Sequence, residues 1–171
     1  MMGEVSIAVS LKAPDPAAVT ALAAMKRMDP SGAPGVLERY EYWTFRGPGV
    51  SRDAVTEMIS HYTDIVNPNK QIWIFAGDLL AGKKNDGRTW VPVLVSDRVD
   101  SVSETWTAIL SGRRRRLETV RYSVLWLMGF DGGIPEDAAV AMAMGLAVTE
   151  RRDRGLLANP VSQEVEILGS M

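Results

Sequence analysis

The chain has 171 residues, 46% hydrophobic and 23% charged, with 19 basic and 21 acidic side chains and a net charge of −2. That is the balance of an ordinary globular protein, and it calls for neither nucleic acid nor a membrane as main partner. The absence of cysteine excludes thiol catalysis, disulfides and thiolate metal sites together, and fits a cytoplasmic protein. No signal peptide is read in M-M-G-E-V-S-I-A-V-S-L-K, and the longest apolar run, Ala138 to Val148, falls short of the roughly 18 residues of a membrane span.

Val5 to Leu11 alternates, which predicts a strand with Val5, Ile7, Val9 and Leu11 on one face. Asp15 before Pro16 is a helix start, a capping carboxylate ahead of a proline at the first helical position. The helix runs to Met28, and Asp29, Pro30, Ser31, Gly32 and Pro34 end it. Leu37 to Phe45 has strand composition and leads to a turn at Gly47, Pro48 and Gly49. Ser51 caps a second helix, with Val55, Met58, Ile59, Tyr62 and Val66 in one apolar stripe. Asn67 and Pro68 stop it, and Gln71 to Ala76 forms a strand. Gly77 to Arg88, with its Asp86-Gly87 turn signal, reads as a hairpin.

Trp90 to Val95 opens the second half as a strand, in which Pro92 argues for an edge position or a strand start. Ser101 and Glu104 form a capping box before a helix that presents Val102, Trp106, Ile109 and Leu110 on one face. After Arg113 to Arg116, Leu117 to Met128 reads as a long strand or a strand with a bend, Gly129 to Gly133 as a turn, and Pro135 as a helix start. A helical pattern then runs into Leu156 and Leu157, stops at Asn159 and Pro160, and gives way to a strand with Val161, Gln163, Val165 and Ile167 on one face. Both halves read strand, helix, strand, helix, strand. Val9-Ser10-Leu11 aligns with Val95-Ser96-Asp97, Leu37-Glu38 with Leu117-Glu118, and Asn67-Pro68 with Asn159-Pro160. The expected architecture is α+β, with two tandem β-α-β-α-β units, each a small sheet with two helices on one face. Residues 1–78 make the first unit, 79–89 a connecting hairpin or linker, and 90–171 the second. Exposed sheet edges and apolar sheet surface predict a homo-oligomer.

Few residues suggest chemistry. Gly77-Asp78-Leu79-Leu80-Ala81-Gly82-Lys83-Lys84 follows a strand and matches G-x-x-x-x-G-K, but Lys84 stands where Ser or Thr should ligate magnesium. Asn85-Asp86-Gly87 breaks the helix such a phosphate cradle requires, so a basic hairpin is the better reading. Arg113, Arg114, Arg115 and Arg116 suit a solvated helix end facing the negative end of the dipole, and offer a docking contact. His61 is the single histidine, next to Tyr62 of the apolar stripe, with no second imidazole to complete a metal site. Glu136 and Asp137 compensate a helix dipole. Ala138 to Val148 is apolar all round, the mark of a core helix or a subunit interface. No catalytic residue, cofactor or metal site is assigned.

Arg154 to Leu168, R-G-L-L-A-N-P-V-S-Q-E-V-E-I-L, resembles the end of the PurS-type small subunit of phosphoribosylformylglycinamidine synthase. The opening V-S-I-A-V-S-L-K with its proline-started helix is similar to that family's first strand and helix, and V-R-Y-S-V-L-W-L, Val120 to Leu127, to its middle strand. The family is usually a single unit of half this length, so the resemblance covers Glu4 to Ala76 once, loosely, and Trp90 to Leu168 again. It implies a tandem duplication and a non-catalytic subunit that bridges the synthetase and glutaminase subunits in purine biosynthesis. Arg113 to Arg116, Asn159 and Pro160 are then the partner contacts. The first half departs from the family, with N-P-N-K-Q in place of N-P-V, and the second carries an Ala-rich helix where the family tends to carry charge. These departures favour an alternative, a duplicated small-molecule-binding module, sensor or enzyme, with its site between the units. A phosphate-binding enzyme using Lys83 and Lys84 is a third reading.

Overall fold

The computed structural model describes residues 2–111, 116–148 and 156–169. Six strands, β1 (Gly3–Leu11), β2 (Val36–Gly47), β3 (Gln71–Phe75), β4 (Thr89–Asp97), β5 (Thr119–Phe130) and β6 (Gln163–Ile167), form one antiparallel sheet in the order β3-β1-β2-β5-β4-β6. Helices α1 (Pro16–Met28), α2 (Arg52–Ile59), α4 (Ser101–Leu110) and α5 (Glu136–Ala147) cover one face, and α3 (Ala76–Lys83) crosses the other. The fold is α+β.

The strand registers repeat from half to half. β1 pairs with both β2 and β3, as β4 pairs with both β5 and β6; Gly3 opposite Gly47 is matched by Thr89 opposite Phe130, and Leu11 opposite Gln71 by Asp97 opposite Gln163. Val9 therefore corresponds to Val95 and Gln71 to Gln163. The middle strands slide from the alignment read in the sequence, for Leu37 corresponds to Val120 rather than to Leu117, and Trp43 to Trp126. β2 and β5 join the halves through eleven pairs, from Val36–Gly129 to Arg46–Thr119. At the centre Glu41 faces Val124, two corresponding positions, so a pseudo-two-fold axis passes between them.

The core ignores the boundary between the halves. Met25 of α1 packs in one cluster with Ala139 and Ala143 of α5, above Val91, Val93 and Met128. Val55 and Met58 of α2 pack in another with Leu110 of α4, above Ile7, Phe45 and Val120. Strand alternation sets these faces, since every second side chain of a strand points the same way.

Local chemistry fixes most helix starts. Asp15 accepts the Ala17 N–H at 2.9 Å with Pro16 following, and Ser51 accepts the Ala54 N–H at 3.1 Å. α4 begins differently from the box read in the sequence: Asp100 is the cap and accepts the Ser103 N–H at 2.9 Å. Its inward side is Ser103, Trp106, Thr107 and Leu110, while Val102 and Ile109 are exposed. α2 stops at Ile59, and turns rather than helix carry Tyr62 and Val66 inward, with the Ile65 and Val66 N–H groups donating to the Tyr62 carbonyl. α5 buries one side only, through Ala139, Ala143, Leu146 and Ala147, and leaves Ala138, Ala141 and Gly145 exposed.

One connection and one strand position differ from the reading of the sequence. The stretch taken as a hairpin or linker holds α3, and the Asp86-Gly87 turn, with Gly87 at φ +80°, delivers the chain from that helix into β4. Pro92 is interior, since β4 lies between β5 and β6. Its carbonyl accepts the Leu168 N–H at 3.0 Å, one step past the last β6 pair, Val93 with Ile167. In an antiparallel strand the N and C=O of a residue point to the same side, so the missing N–H would face the Leu168 carbonyl, one residue past β6, and the proline costs only the reciprocal bond at the very end of that ladder.

Ala143 is fully buried among apolar side chains. Ala143→Asp places an unpaired carboxylate there and is expected to cost at least about 3 kcal/mol. Urea denaturation reads the loss, and an unchanged midpoint would contradict the packing.

Candidate functional site

The two edge strands are entered through the same turn, Asn-Pro-x-x-Gln. At Asn67 the backbone N–H donates to Gln71 Oε1 at 2.8 Å, the side-chain Oδ1 accepts the Asn69 N–H at 3.0 Å, and the carbonyl accepts the Gln71 N–H at 2.8 Å. At Asn159 the N–H donates to Gln163 Oε1 at 3.0 Å, Oδ1 accepts the Val161 N–H at 2.9 Å, and the carbonyl accepts the Gln163 N–H at 2.8 Å. Asparagine thus closes a turn on its own backbone, and glutamine returns the favour. Each turn is tied to the end of the neighbouring strand by a matched cation. Lys12 donates its N–H to Lys70 O at 2.9 Å and its Nζ to Pro68 O at 2.7 Å; Arg98 donates its N–H to Ser162 O at 2.9 Å and its Nη2 to Pro160 O at 3.1 Å. Sequence reasoning found the Asn-Pro pairs but missed Gln71, Gln163, Lys12 and Arg98. The signal was present as N-P-x-x-Q, twice.

Gln71 also reaches the sheet axis, where its Nε2 donates to Glu41 at 3.1 Å, whereas Gln163 Nε2 turns to Asp97 at 2.9 Å. Glu41 lies beside Tyr122, whose phenol pKa is pushed up to about 12, first by burial and next by the Glu41 charge. Trp43 sits edge-on to Tyr122 and to Trp106, with ring centroids 4.9 and 5.9 Å away, and its buried Nε1–H has no acceptor among the described residues.

Away from α3 and from Ile72 and Ile74 on the β3 edge, the opposite face is largely polar. The Ser6 and Thr44 hydroxyls meet at 2.8 Å and those of Ser96 and Ser123 at 2.7 Å. Two adjoining troughs of about 260 and 390 Å³ share Glu4, Ser6, Tyr42 and Leu168; Arg46 and Arg121 line the first, Arg52 and Leu80 the second. Burial raises the Tyr42 phenol pKa, against a smaller lowering by the Ser6 hydroxyl. A shallow floor of hydroxyls and mixed charge suits the wet rim of a protein contact better than an enclosed, mostly apolar ligand pocket.

Of the residues singled out in the sequence, Arg113, Arg114 and Arg115 lie outside the described residues. Arg116 has φ 50° and its carbonyl accepts the Gly49 N–H at 3.1 Å. It borders a pocket of about 440 Å³ whose lining includes Glu57, Met58 and His61, so the lone histidine and Arg116 are neighbours. β5 and β6 are both antiparallel to β4. Arg116 and the Asn159-Pro160 turn, which precede them, therefore stand at the same end of the sheet with β4 between. Gly77 to Lys83 belongs to α3, and Lys83 pairs with Glu38 and lies 4.3 Å from the Trp90 ring centroid. That engagement leaves no cradle for phosphate. Glu136 and Asp137 are exposed in the first turn of α5. Among the described residues no three His, Asp or Glu side chains are placed to hold a metal ion.

Gln163→Ala opens its turn and is expected to cost about 1 kcal/mol, with Gln71→Ala costing more because the carboxylate it leaves behind, Glu41, is partly buried whereas Asp97 beside Gln163 is exposed to water. Urea denaturation of the two variants compares them. The raised Tyr122 pKa means that the folded chain holds this proton more tightly than the unfolded one. The resulting stabilisation is complete below the unfolded phenol pKa of about 10. It is lost as pH rises from there toward 12, so Tyr122→Phe should flatten the alkaline fall in melting temperature.

No family model matches the chain, and no curated protein or solved structure is significantly similar to it.

Proposed function

We propose that the chain is a PurS-like assembly subunit, two fused units without an active site of their own, that bridges the synthetase and glutaminase subunits of phosphoribosylformylglycinamidine synthase in the cytoplasm. The observation that carries this reading is the Asn-Pro-x-x-Gln turn, built with the same hydrogen bonds at both edges of the sheet. It joins the L-L-A-N-P-V resemblance of the second half to a counterpart in the first. The mirrored strand registers add weight to a duplication. The partner contacts are the Arg113 to Arg116 run and the Asn159-Pro160 turn, and the bare apolar edge of β3 favours a homo-oligomer.

A second reading, a small-molecule site between the halves, is favoured by one observation, the unpartnered Trp43 Nε1 beside Glu41 and Tyr122 near the axis. Co-purification from native extract with glutamine and ATP present separates the two. Recovery of a synthetase and a glutaminase supports the bridge, and Arg116→Glu should then cut that recovery by about tenfold, as loss of a docking charge does. Recovery of the chain only with itself transfers the assignment to the second reading.

A further inference from the structure

β2 outruns its neighbour. The ladder with β1 ends at Val9–Glu41, yet β2 begins at Val36, so residues 36–40 are laddered to β5 on one side and to no strand on the other, with only the last residues of β1, Ser10 and Leu11, near 39 and 40. The corresponding part of β5 has the same shortfall, because the β4 ladder stops at Val95–Val124. There α4 takes the place of a strand. Ser103 Oγ accepts the Tyr122 N–H at 2.7 Å, and Thr107 Oγ1 accepts the Val120 N–H at 3.0 Å while donating to the Val120 carbonyl at 3.1 Å.

α1 stands in the corresponding position beside β2, and cannot do the same. Its cap Asp15 matches Asp100, so Ala18 takes the place of Ser103, Leu22 of Thr107 and Met25 of Leu110. Ala18 and Ser103 are 7% and 8% exposed, and Met25 and Leu110 are both fully buried, so the two helices face inward alike. Neither Ala18 nor Leu22 carries a hydroxyl, and among the described residues no α1 side chain bonds to the backbone of Leu37 or Arg39. A groove of about 320 Å³ opens there instead, walled by Leu11, Ala18, Val19 and Leu22 on one side and by Leu37 and Tyr40 on the other. Leu11 and Val19 are 39% and 59% exposed. The charges on its rim are already matched, Arg39 with Asp15 at 3.4 Å and Lys83 with Glu38.

We propose that this groove is a strand-addition site, which takes an extended, uncharged and apolar segment of a partner protein, whose backbone pairs with residues 36–40 of β2. Main-chain hydrogen bonds at an open strand edge give such a site its affinity, and alternate side chains lying on Val19 and Leu22 give it selectivity. The neutral rim excludes a charged segment, and the free length of β2 admits about four residues. The assignment goes beyond the proposed function and holds whichever complex the chain joins.

The test is amide hydrogen exchange followed by NMR on the full chain, with the capped peptide acetyl-Ser-Val-Val-Val-Ser-amide at millimolar concentration as probe. In the free protein the Leu37 amide should exchange at least about tenfold faster than Val120, its hydroxyl-capped counterpart. The peptide should slow Leu37 by a similar factor and leave Val120 unchanged. Val19→Asp alters an exposed position, so it should fold normally, and its carboxylate should weaken the peptide effect at least about fivefold. Equal exchange of Leu37 and Val120 without peptide, no protection with it, or undiminished protection in the Val19→Asp variant would each overturn the assignment. Protection of Leu37 that grows with protein concentration alone would overturn it too, by giving the groove to a second copy of the chain.

Discussion

Everything in this fold leans on the ladder between β2 and β5. Eleven pairs bind the two longest strands, and only with that ladder closed do the helices find their partners, α1 beside α5 and α2 beside α4. A three-stranded half on its own would leave each of its helices covering one flank of a core whose other flank belongs to the second half. The apolar side chains that would then meet water include Phe45, Val93 and Met128, all buried to within 1%. Burial of side chains of this size is worth about 1.5 to 3 kcal/mol each, which makes the seam the condition for both cores rather than a contact between finished units.

The two sides of the sheet answer to different demands. The helix side satisfies backbone as well as apolar groups, since α4 lends two hydroxyls to the first part of β5, which the β4 ladder does not reach, and so removes orphaned polar groups that would be costly to bury. The edges also differ. β6 carries Glu164 and Glu166 where β3 carries Ile72 and Ile74, which are 55% and 38% exposed. Charge on an edge strand discourages pairing with strangers. One edge is guarded in that way and the other is not.

Much of this could be read from the residues. Alternation located β1 and β6, composition and the breaks between segments located the other four strands, Asp15-Pro16 and Ser51 located two helix starts, and the twin Asn-Pro pairs located the repeat. α3 was hidden because it has no side-chain cap and only eight residues before a Gly87 turn that dominates its neighbourhood. The inward side of α4 was hidden for a different reason: Ser103 and Thr107 are drawn in by hydrogen bonds to β5, so an apolar stripe pointed to Val102 and Ile109 instead. Leu37 was aligned with Leu117 because local identity cannot see a register that long-range pairing decides. At the candidate site the asparagines were legible and their glutamines could have been. The groove beside β2 was not, since it arises from hydroxyls that α1 lacks and can be recognised only against the half that has them.

The pseudo-two-fold axis has one more consequence. A seam between two identical chains would set the residue at its centre against itself, and Glu41 would confront Glu41, an unfavourable pairing of like charges directly across a ladder. Here Val124 stands opposite. One carboxylate can therefore occupy the middle of the sheet and gather Gln71 and Tyr122 around it, an asymmetry that a self-paired seam forbids and that covalent linkage of the halves permits.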